Sequence, residues 1–231
     1  KNAVSATSIG TTSFYSRERL YLCYGVYPKV IYPGVDTKFF KPLKNIVRNK
    51  SVLCVGALFP SKGYDFVIEA ISKIDKVERP NLKIIHGANS YPNEYKIKLN
   101  KLANENNVKI NFVSLIDDES LLKAYNSTAL TVCANLLEPL GLVALESMAC
   151  GTPVVGVKEA GLRETIINGE NGILTDRNLF ELSEAIMLLI NNKKKWNQMS
   201  RSGIKYTSDK WSWKVSATNL ERHLKTLAKK S

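Results

Sequence analysis

Glu138 and Glu146 bracket a run that is otherwise apolar, Pro-Leu-Gly-Leu-Val-Ala-Leu. Pro139 suits the first turn of a helix. A helix from there to Ala149 would put Glu138 at its positive end and Glu146 two turns inside. A carboxylate within an apolar helix needs hydrogen-bond donors, and the diol of a ribose supplies two. The free N–H groups of Gly141, Leu142 and Val143 would point the same way, toward phosphate or sugar oxygens. Taken singly, the two carboxylates read as an acidic helix start and a salt-bridged glutamate. Their joint occurrence with Gly141 and the following Ala-Cys-Gly-Thr-Pro-Val-Val (residues 149–155) is more specific. A second feature is the loop Gly-Ala-Leu-Phe-Pro-Ser-Lys-Gly (residues 56–63). Its glycines let backbone approach a ligand, and Lys62 would set a full positive charge beside a phosphate. It lacks the Gly-x4-Gly-Lys-Ser/Thr spacing of a P-loop, and alone it reads as an ordinary strand-to-helix turn. A third is Lys-Glu-Ala-Gly-Leu-Arg-Glu (residues 158–164), followed by two Asn-Gly turns; a solvated loop is an equal reading there.

The elements that must position these residues alternate. Short apolar, β-branched runs at 51–55, 82–86, 109–113, 129–133, 153–157 and 173–175 read as strands. Helical spacing appears between them: Val67, Ala70, Ile71 and Ile74; Tyr95, Leu99 and Leu102; Leu121, Leu122 and Tyr125 behind the capping Asp117; then Leu179, Leu182, Ile186 and Leu189. Strands alternating with helices predict an α/β fold, a Rossmann-like doubly wound parallel sheet over residues 32–192. Ligands of such sheets bind at the carboxyl ends of the strands. That places the candidate site at residues 56–63, 87–89, 114–116, 135–142 and 158–163. Gly56 and Gly87 close the first two strands. Residues 1–31 hold a short β-like stretch, a helix before Gly25 and a Pro-Gly linker. Residues 193–231 form a basic segment carrying Trp196, Trp211 and Trp213, expected to end as a helix to Lys229.

The 231 residues allow one generous domain, or one domain plus a fragment of another. With 44% apolar and 23% charged residues, a packed core is expected and disorder is excluded. No apolar run nears the ~18–20 residues of a membrane span. The formal charge of +12 fits a solvated lysine face or an anionic partner. Zinc-finger spacing and aromatic RNA motifs are absent, which argues against nucleic acid. Cys23, Cys54, Cys133 and Cys150 form no C-x-x-C pair and fit a reducing compartment. His86 and His223 are isolated, so neither a metal nor another cofactor is expected.

The stretch Glu-Pro-Leu-Gly-Leu-Val-Ala-Leu-Glu-Ser-Met-Ala-Cys-Gly-Thr-Pro-Val-Val (residues 138–155) resembles the Glu-x7-Glu motif of retaining GT-B glycosyltransferases of family four. The likeness runs from Tyr-Pro-Gly-Val-Asp (residues 32–36) through the Gly-x-x-x-Pro-x-Lys-Gly loop to the Trp-bearing end. It implies one half of a GT-B fold, holding a nucleotide-diphosphate sugar. Lys62 matches the family's diphosphate lysine, and Glu146 the glutamate on the ribose hydroxyls. Glu138 matches the glutamate at the sugar ring. Leu140, Gly141, Leu142 and Val143 match the backbone on sugar hydroxyls and phosphate, and the segment from Val113 to Leu115 matches the family's segment beside the base. Gly56 and Gly87 complete the implied donor edge. The implied reaction is metal-independent hexosyl transfer with retention, Lys62 and Glu138 being the catalytic pair. Three positions depart from the family: Ala57 where arginine is common, Leu140 where phenylalanine is common, and Ser114 where glycine is common.

The resemblance also implies what the chain lacks, an N-terminal Rossmann domain that binds acceptor. Residues 1–31 match only its remnant and the linker, and residues 193–231 match the helical segment that packs back toward it. The expectation is a donor-binding fragment without turnover of its own, with an unknown saccharide or lipid-linked acceptor. Its place would be cytoplasmic, or peripheral at an anionic inner membrane face through the C-terminal lysines. The alternative is a non-catalytic nucleotide- or polysaccharide-binding module of the same fold.

Overall fold

Phe14–Tyr24 forms a helix because Ser13 caps it, accepting from the Ser16 N–H at 2.9 Å, and Gly25 ends it in the left-handed region (φ 65°). This helix, α1, joins β1 (Gly10–Thr11) to β2 (Lys29–Val30), and the two short strands pair in parallel. The computed structural model describes residues 6–87, 93–114 and 117–229. After the linker come β3 (Ser51–Val55), α2 (Tyr64–Ser72), β4 (Asn81–His86), α3 (Asn93–Glu105), β5 (Ile110–Ser114), α4 (Asp118–Ser127) and β6 (Leu130–Cys133). The chain continues through α5 (Leu142–Ala149), β7 (Val154–Val157), α6 (Leu162–Thr165), β8 (Gly172–Thr175), α7 (Leu179–Asn191), α8 (Lys193–Trp211) and α9 (Trp213–Ala228).

The six strands from β3 onward form one parallel sheet in the order β5-β4-β3-β6-β7-β8. The chain builds outward from β3 to β5, then returns to the middle and builds the other way from β6. Helices therefore leave β3 and β6 toward opposite faces, opening a crevice at their carboxyl ends. Strand side chains alternate between two cores. Val52, Cys54, Ile84, Val132 and Val155 pack under α2, α3 and α7. Leu53, Ile85 and Cys133 face α4 and α5. Burial on both faces explains why the central strands read as unbroken apolar runs.

One expectation needs correction. The helix carrying Glu146 starts at Leu142, not at Pro139, because Gly141 takes φ 95° and holds residues 138–140 in a loop ahead of it. The basic end does finish as a helix, α9, with Lys229 as its cap, and α8 precedes it. Ser212 is extended (φ −70°, ψ 151°) and bridges Val35, whose N–H donates to the Trp211 carbonyl at 2.7 Å. Gly34 is required there, since a Cβ would lie 2.4 Å from Trp213 Cα. No helix among the described residues is long and apolar enough to cross a membrane.

Arg48 of the linker fastens this wrap to the sheet. Its guanidinium donates to the carbonyls of Tyr125, Thr128 and Cys150 at 3.0–3.1 Å and to the Thr152 hydroxyl at 2.5 Å, while Trp196 covers its face at 5.0 Å. Arg48→Ala strands these carbonyls. It is expected to cost about 3 kcal/mol, lowering Tm by roughly 6–12 °C in calorimetry. Arg48→Lys cannot form the fork and should recover less than half of that.

Candidate functional site

The crevice between β3 and β6 is where the residues singled out by type and spacing meet. After β3 the chain turns at Gly56 (φ 145°) and makes a short 3-10 turn, Pro60–Lys62, that ends at Gly63 (φ 66°). Lys62 packs its stem over Gly56, where a Cβ would lie 3.3 Å from Lys62 Cε. The Tyr64 hydroxyl donates to the Gly56 carbonyl at 2.9 Å and holds the turn in place. This loop touches the one after β6. The Leu136 N–H donates to the Ser61 carbonyl at 2.7 Å, and a Cβ on Gly63 would fall 2.3 Å from the Ala134 oxygen.

Glu138 lies in the loop after β6, facing Lys62 across the crevice with 3.6 Å between Nζ and a carboxylate oxygen. The same oxygen accepts from the Asn135 amide at 2.5 Å, and the other from the Gly141 N–H at 3.2 Å. Leu137 (φ 53°) and Ala160 (φ 45°) hold left-handed conformations without being glycine, and both adjoin this loop. Such strain persists where surrounding contacts over-determine it, commonly at ligand sites. The contacts here are specific. The Gly161 N–H donates to the Glu138 carbonyl at 2.8 Å, and a Cβ on Gly161 would lie 2.2 Å from the Pro139 oxygen. The N-terminus of α5 carries no side-chain cap, so its first N–H groups and dipole end face the crevice.

Together these groups enclose a cavity of about 290 Å³ lined by Lys62, Asn135, Glu138 and the run from Leu140 to Val143. Thr12 and Pro33 from the N-terminal segment, and Leu162 of α6, complete its wall. Cys133 lies at its floor; burial pushes its thiol up to about 12, so it stays a neutral thiol. Among the described residues no cluster of three or more His, Cys, Asp or Glu could hold a metal.

Glu146 is near this cavity in sequence but not on its wall. It faces α4, where the Tyr125 hydroxyl donates to its Oε2 at 2.7 Å. Burial raises the Glu146 pKa above the ordinary carboxylate value, and the Tyr125 bond works against that rise. Tyr125 itself is held neutral, by burial and then by the neighbouring carboxylate. Gly87 is exposed at the carboxyl end of β4, and Val113 is half-buried near the end of edge strand β5. Leu115 lies outside the described residues, as do 88, 89 and 116 of the same ligand edge.

The third sequence feature does not converge on the cavity as a set of charges. Glu159 pairs with Arg177 at 2.6 Å, and Arg177 also donates twice to the Ala134 carbonyl at 3.2 Å. Arg163 bonds the nearby Ala160 carbonyl. Glu164 turns away, toward α1. His86 sits at the strand end with Nδ1 3.1 Å from the Gly87 carbonyl. Sequence reasoning did not single out Asn135, Tyr125, Arg177 or Thr12. Asn135 fell within the stretch that the strand-end rule marked. The other three act through contacts across long sequence separations, and no local spacing signals them.

Residues 35–206 match the family model described as Glycosyl transferases group 1. An uncharacterized glycosyltransferase of Methanocaldococcus jannaschii is 32% identical over 190 residues, covering 80% of this chain and 49% of that protein. HepE of Anabaena, solved in complex with UDP-glucose, shares the fold at a TM-score of 0.86 and 22% identity, over 96% of this chain and 64% of that one. The C-terminal domain of a group 1 glycosyl transferase of Francisella tularensis is similar over 78% of this chain and 99% of its own, at 25% identity and a TM-score of 0.69. The chain spans no more than half the length of the first curated relatives it matches. With its fold and the extent of the family match, this chain belongs to the glycosyl transferases group 1.

Proposed function

We propose that the chain is the donor-binding half of a retaining glycosyltransferase. It holds a nucleotide-diphosphate sugar for hexosyl transfer to a saccharide or lipid-linked acceptor, and lacks turnover by itself. The observation that carries this reading is the meeting of Lys62, Glu138 and the uncapped start of α5 in one cavity at the point where strand order reverses. The UDP-glucose complex of the HepE neighbour and the match to an excised C-terminal domain support it.

In this reading the diphosphate lies between Lys62 and the N–H groups of α5. The leaving charge develops against a lysine and a helix dipole end already in place, so a metal need not supply the neutralisation. Donor phosphate competes with the Glu138 carboxylate for both Lys62 and the Gly141 N–H. Glu138 remains oriented by Asn135 beside the sugar ring. Glu146 receives the ribose diol. Its Oε2 is oriented by Tyr125, and its remaining lone pairs accept from hydroxyls.

Calorimetric titration with UDP, GDP and ADP and then the matching sugar nucleotides, without metal, tests the assignment. Saturable binding to one nucleotide is expected, weakened roughly tenfold or more by Lys62→Ala and by Glu146→Ala. Binding untouched by both variants would sink the site assignment, and sugar transfer by the chain alone would sink the fragment reading.

Glu146 also gives a stability signature. Its folded pKa is raised, so the native state retains the proton longer than the unfolded chain. Stability therefore falls as pH climbs from the ordinary carboxylate pKa through the raised one. Above the raised pKa that cost is fully present. Glu146→Gln should then stabilise the chain by about 1 kcal/mol while weakening nucleotide binding. The stability gain should vanish below the ordinary carboxylate pKa. Chemical denaturation at pH 4 and pH 7 reads both signs, and a loss of stability at pH 7 would contradict the burial argument.

A further inference from the structure

Glu164 stands on α6 with its carboxylate directed away from the cavity. One oxygen accepts from the Phe14 N–H at 2.9 Å and the other from the Tyr15 N–H at 2.8 Å, residues 150 and 149 positions distant. The Tyr32 hydroxyl donates to the same carboxylate at 2.7 Å. Phe14 and Tyr15 open α1, so the carboxylate sits at the positive end of that helix in charge-assisted bonds. The opposite side of α6 grips the donor loop. The Gly161 N–H holds the Glu138 carbonyl, and the Thr165 hydroxyl lies 3.3 Å from the Leu140 carbonyl. One short helix thus binds the cavity loop on one side and the start of α1 on the other. Immediately before the Ser13 cap is Thr12, which lines the cavity mouth beside Glu138 and Pro139.

We propose that Glu164 is a positioning residue: by clamping the start of α1 to α6 it couples the N-terminal segment to the donor loop and fixes the Thr12 hydroxyl against the sugar end of the bound donor. The ligand half of this inference rests on the donor-site reading above; the clamp half does not. Thr12 is exposed and lines the cavity, while the backbone of its segment is tied to α6 through the Glu164 carboxylate. Without the carboxylate, two N–H groups at the start of α1 lose their acceptor, and α1 can shift as a unit. The cavity then keeps its phosphate groups, Lys62 and α5, but loses one wall at the sugar end.

The test uses the full chain and two readouts. In hydrogen exchange without ligand, Glu164→Ala should speed exchange of the Phe14 and Tyr15 amides about tenfold or more and also loosen residues 140–143, while β3 and β6 stay protected. Glu164→Gln keeps one acceptor oxygen and should fall between. Unchanged protection at residues 140–143 overturns the coupling, and a variant that merely fails to fold betrays itself by exchange in β3 and β6, leaving Glu164→Gln to decide. In calorimetry with UDP and UDP-glucose as probes, Glu164→Ala and Thr12→Val should each weaken UDP-glucose roughly threefold to tenfold and leave UDP within about a factor of two. The double variant should bind no worse than Glu164→Ala alone. Additive losses, or equal losses for both probes, overturn the positioning of Thr12. A wild-type chain that binds neither probe contradicts the donor reading and the Thr12 half with it, and the exchange arm still judges the clamp.

Discussion

The contact between the turn after β3 and the turn after β6 is the constraint on which the rest of the cavity depends. Gly63 lies so close to the Ala134 carbonyl that no side chain fits between them, and the Leu136 N–H ties the second turn back to Ser61. Because β3 and β6 are neighbours with helices leaving toward opposite faces, neither following helix fills the crevice between their carboxyl ends. The two glycine turns convert that topological gap into a defined geometry. Lys62 and Glu138 are far apart in sequence yet stand 3.6 Å apart without either needing a flexible loop to find the other. A β-branched residue at 63 would not merely strain its own backbone. It would separate the cation from the carboxylate and from the start of α5.

The carboxyl edge of the sheet concentrates groups that a stable fold would avoid. Glu146 is buried with one hydroxyl partner, Leu137 and Ala160 hold left-handed backbone, and α5 begins without a capping side chain. Each is tolerable because the surroundings leave no alternative. Gly161 packs on the Pro139 carbonyl, Arg177 grips Ala134, and the buried strands beneath cannot shift register without turning core residues outward. Rigidity is thus placed in the sheet and its brackets. The unsatisfied polarity is left at the carboxyl edge, where a ligand can use it.

Much of the fold was legible because parallel strands buried on both faces must be largely apolar, and β3, β6 and β7 are, with only Ser51 and Thr131 as polar members. Their alternation with amphipathic helices left little choice of architecture. The ligand edge followed from topology, and Lys62, Glu138 and the run from Leu140 to Val143 do line one cavity there. What failed was local. Pro139 looked like a helix start, but the positive φ of Gly141 postpones the helix by three residues, a choice set by Gly161 pressing on the loop from α6. The break at Ser212 was invisible for a similar reason. The segment from Ser212 into α9 has ordinary helical composition, and only pairing with Val35 of the linker draws Ser212 into an extended conformation. Tyr125 and Glu164 have the same character: their roles are contacts between residues 21 and 150 positions apart, which periodicity cannot encode.

The charge of the chain shows why composition was a poor guide to its chemistry. Three arginines that could have served an anionic ligand are consumed by backbone. Arg48 collects carbonyls from α4 and the loops near β6 and β7. Arg79 collects those of Ser72, Ile74, Asn106 and Asn107, and Arg177 that of Ala134. The planar guanidinium fork suits several converging carbonyls in a way an ammonium does not. Most lysines are exposed, on loops as well as helices, where an excess of +12 stays solvated. Among the described residues Lys62 is the one cation lining the cavity. With Ala57 contributing no charge, the proposed diphosphate must be held by that single ammonium and by the backbone N–H groups of α5. The burden on Gly141 grows accordingly. Its left-handed φ aims the first N–H groups of α5 into the crevice, and a Cβ there would meet Leu162 at 2.6 Å. In a site with two fixed cations a tilted helix start would cost little, whereas here it would remove much of the positive potential that the cavity presents.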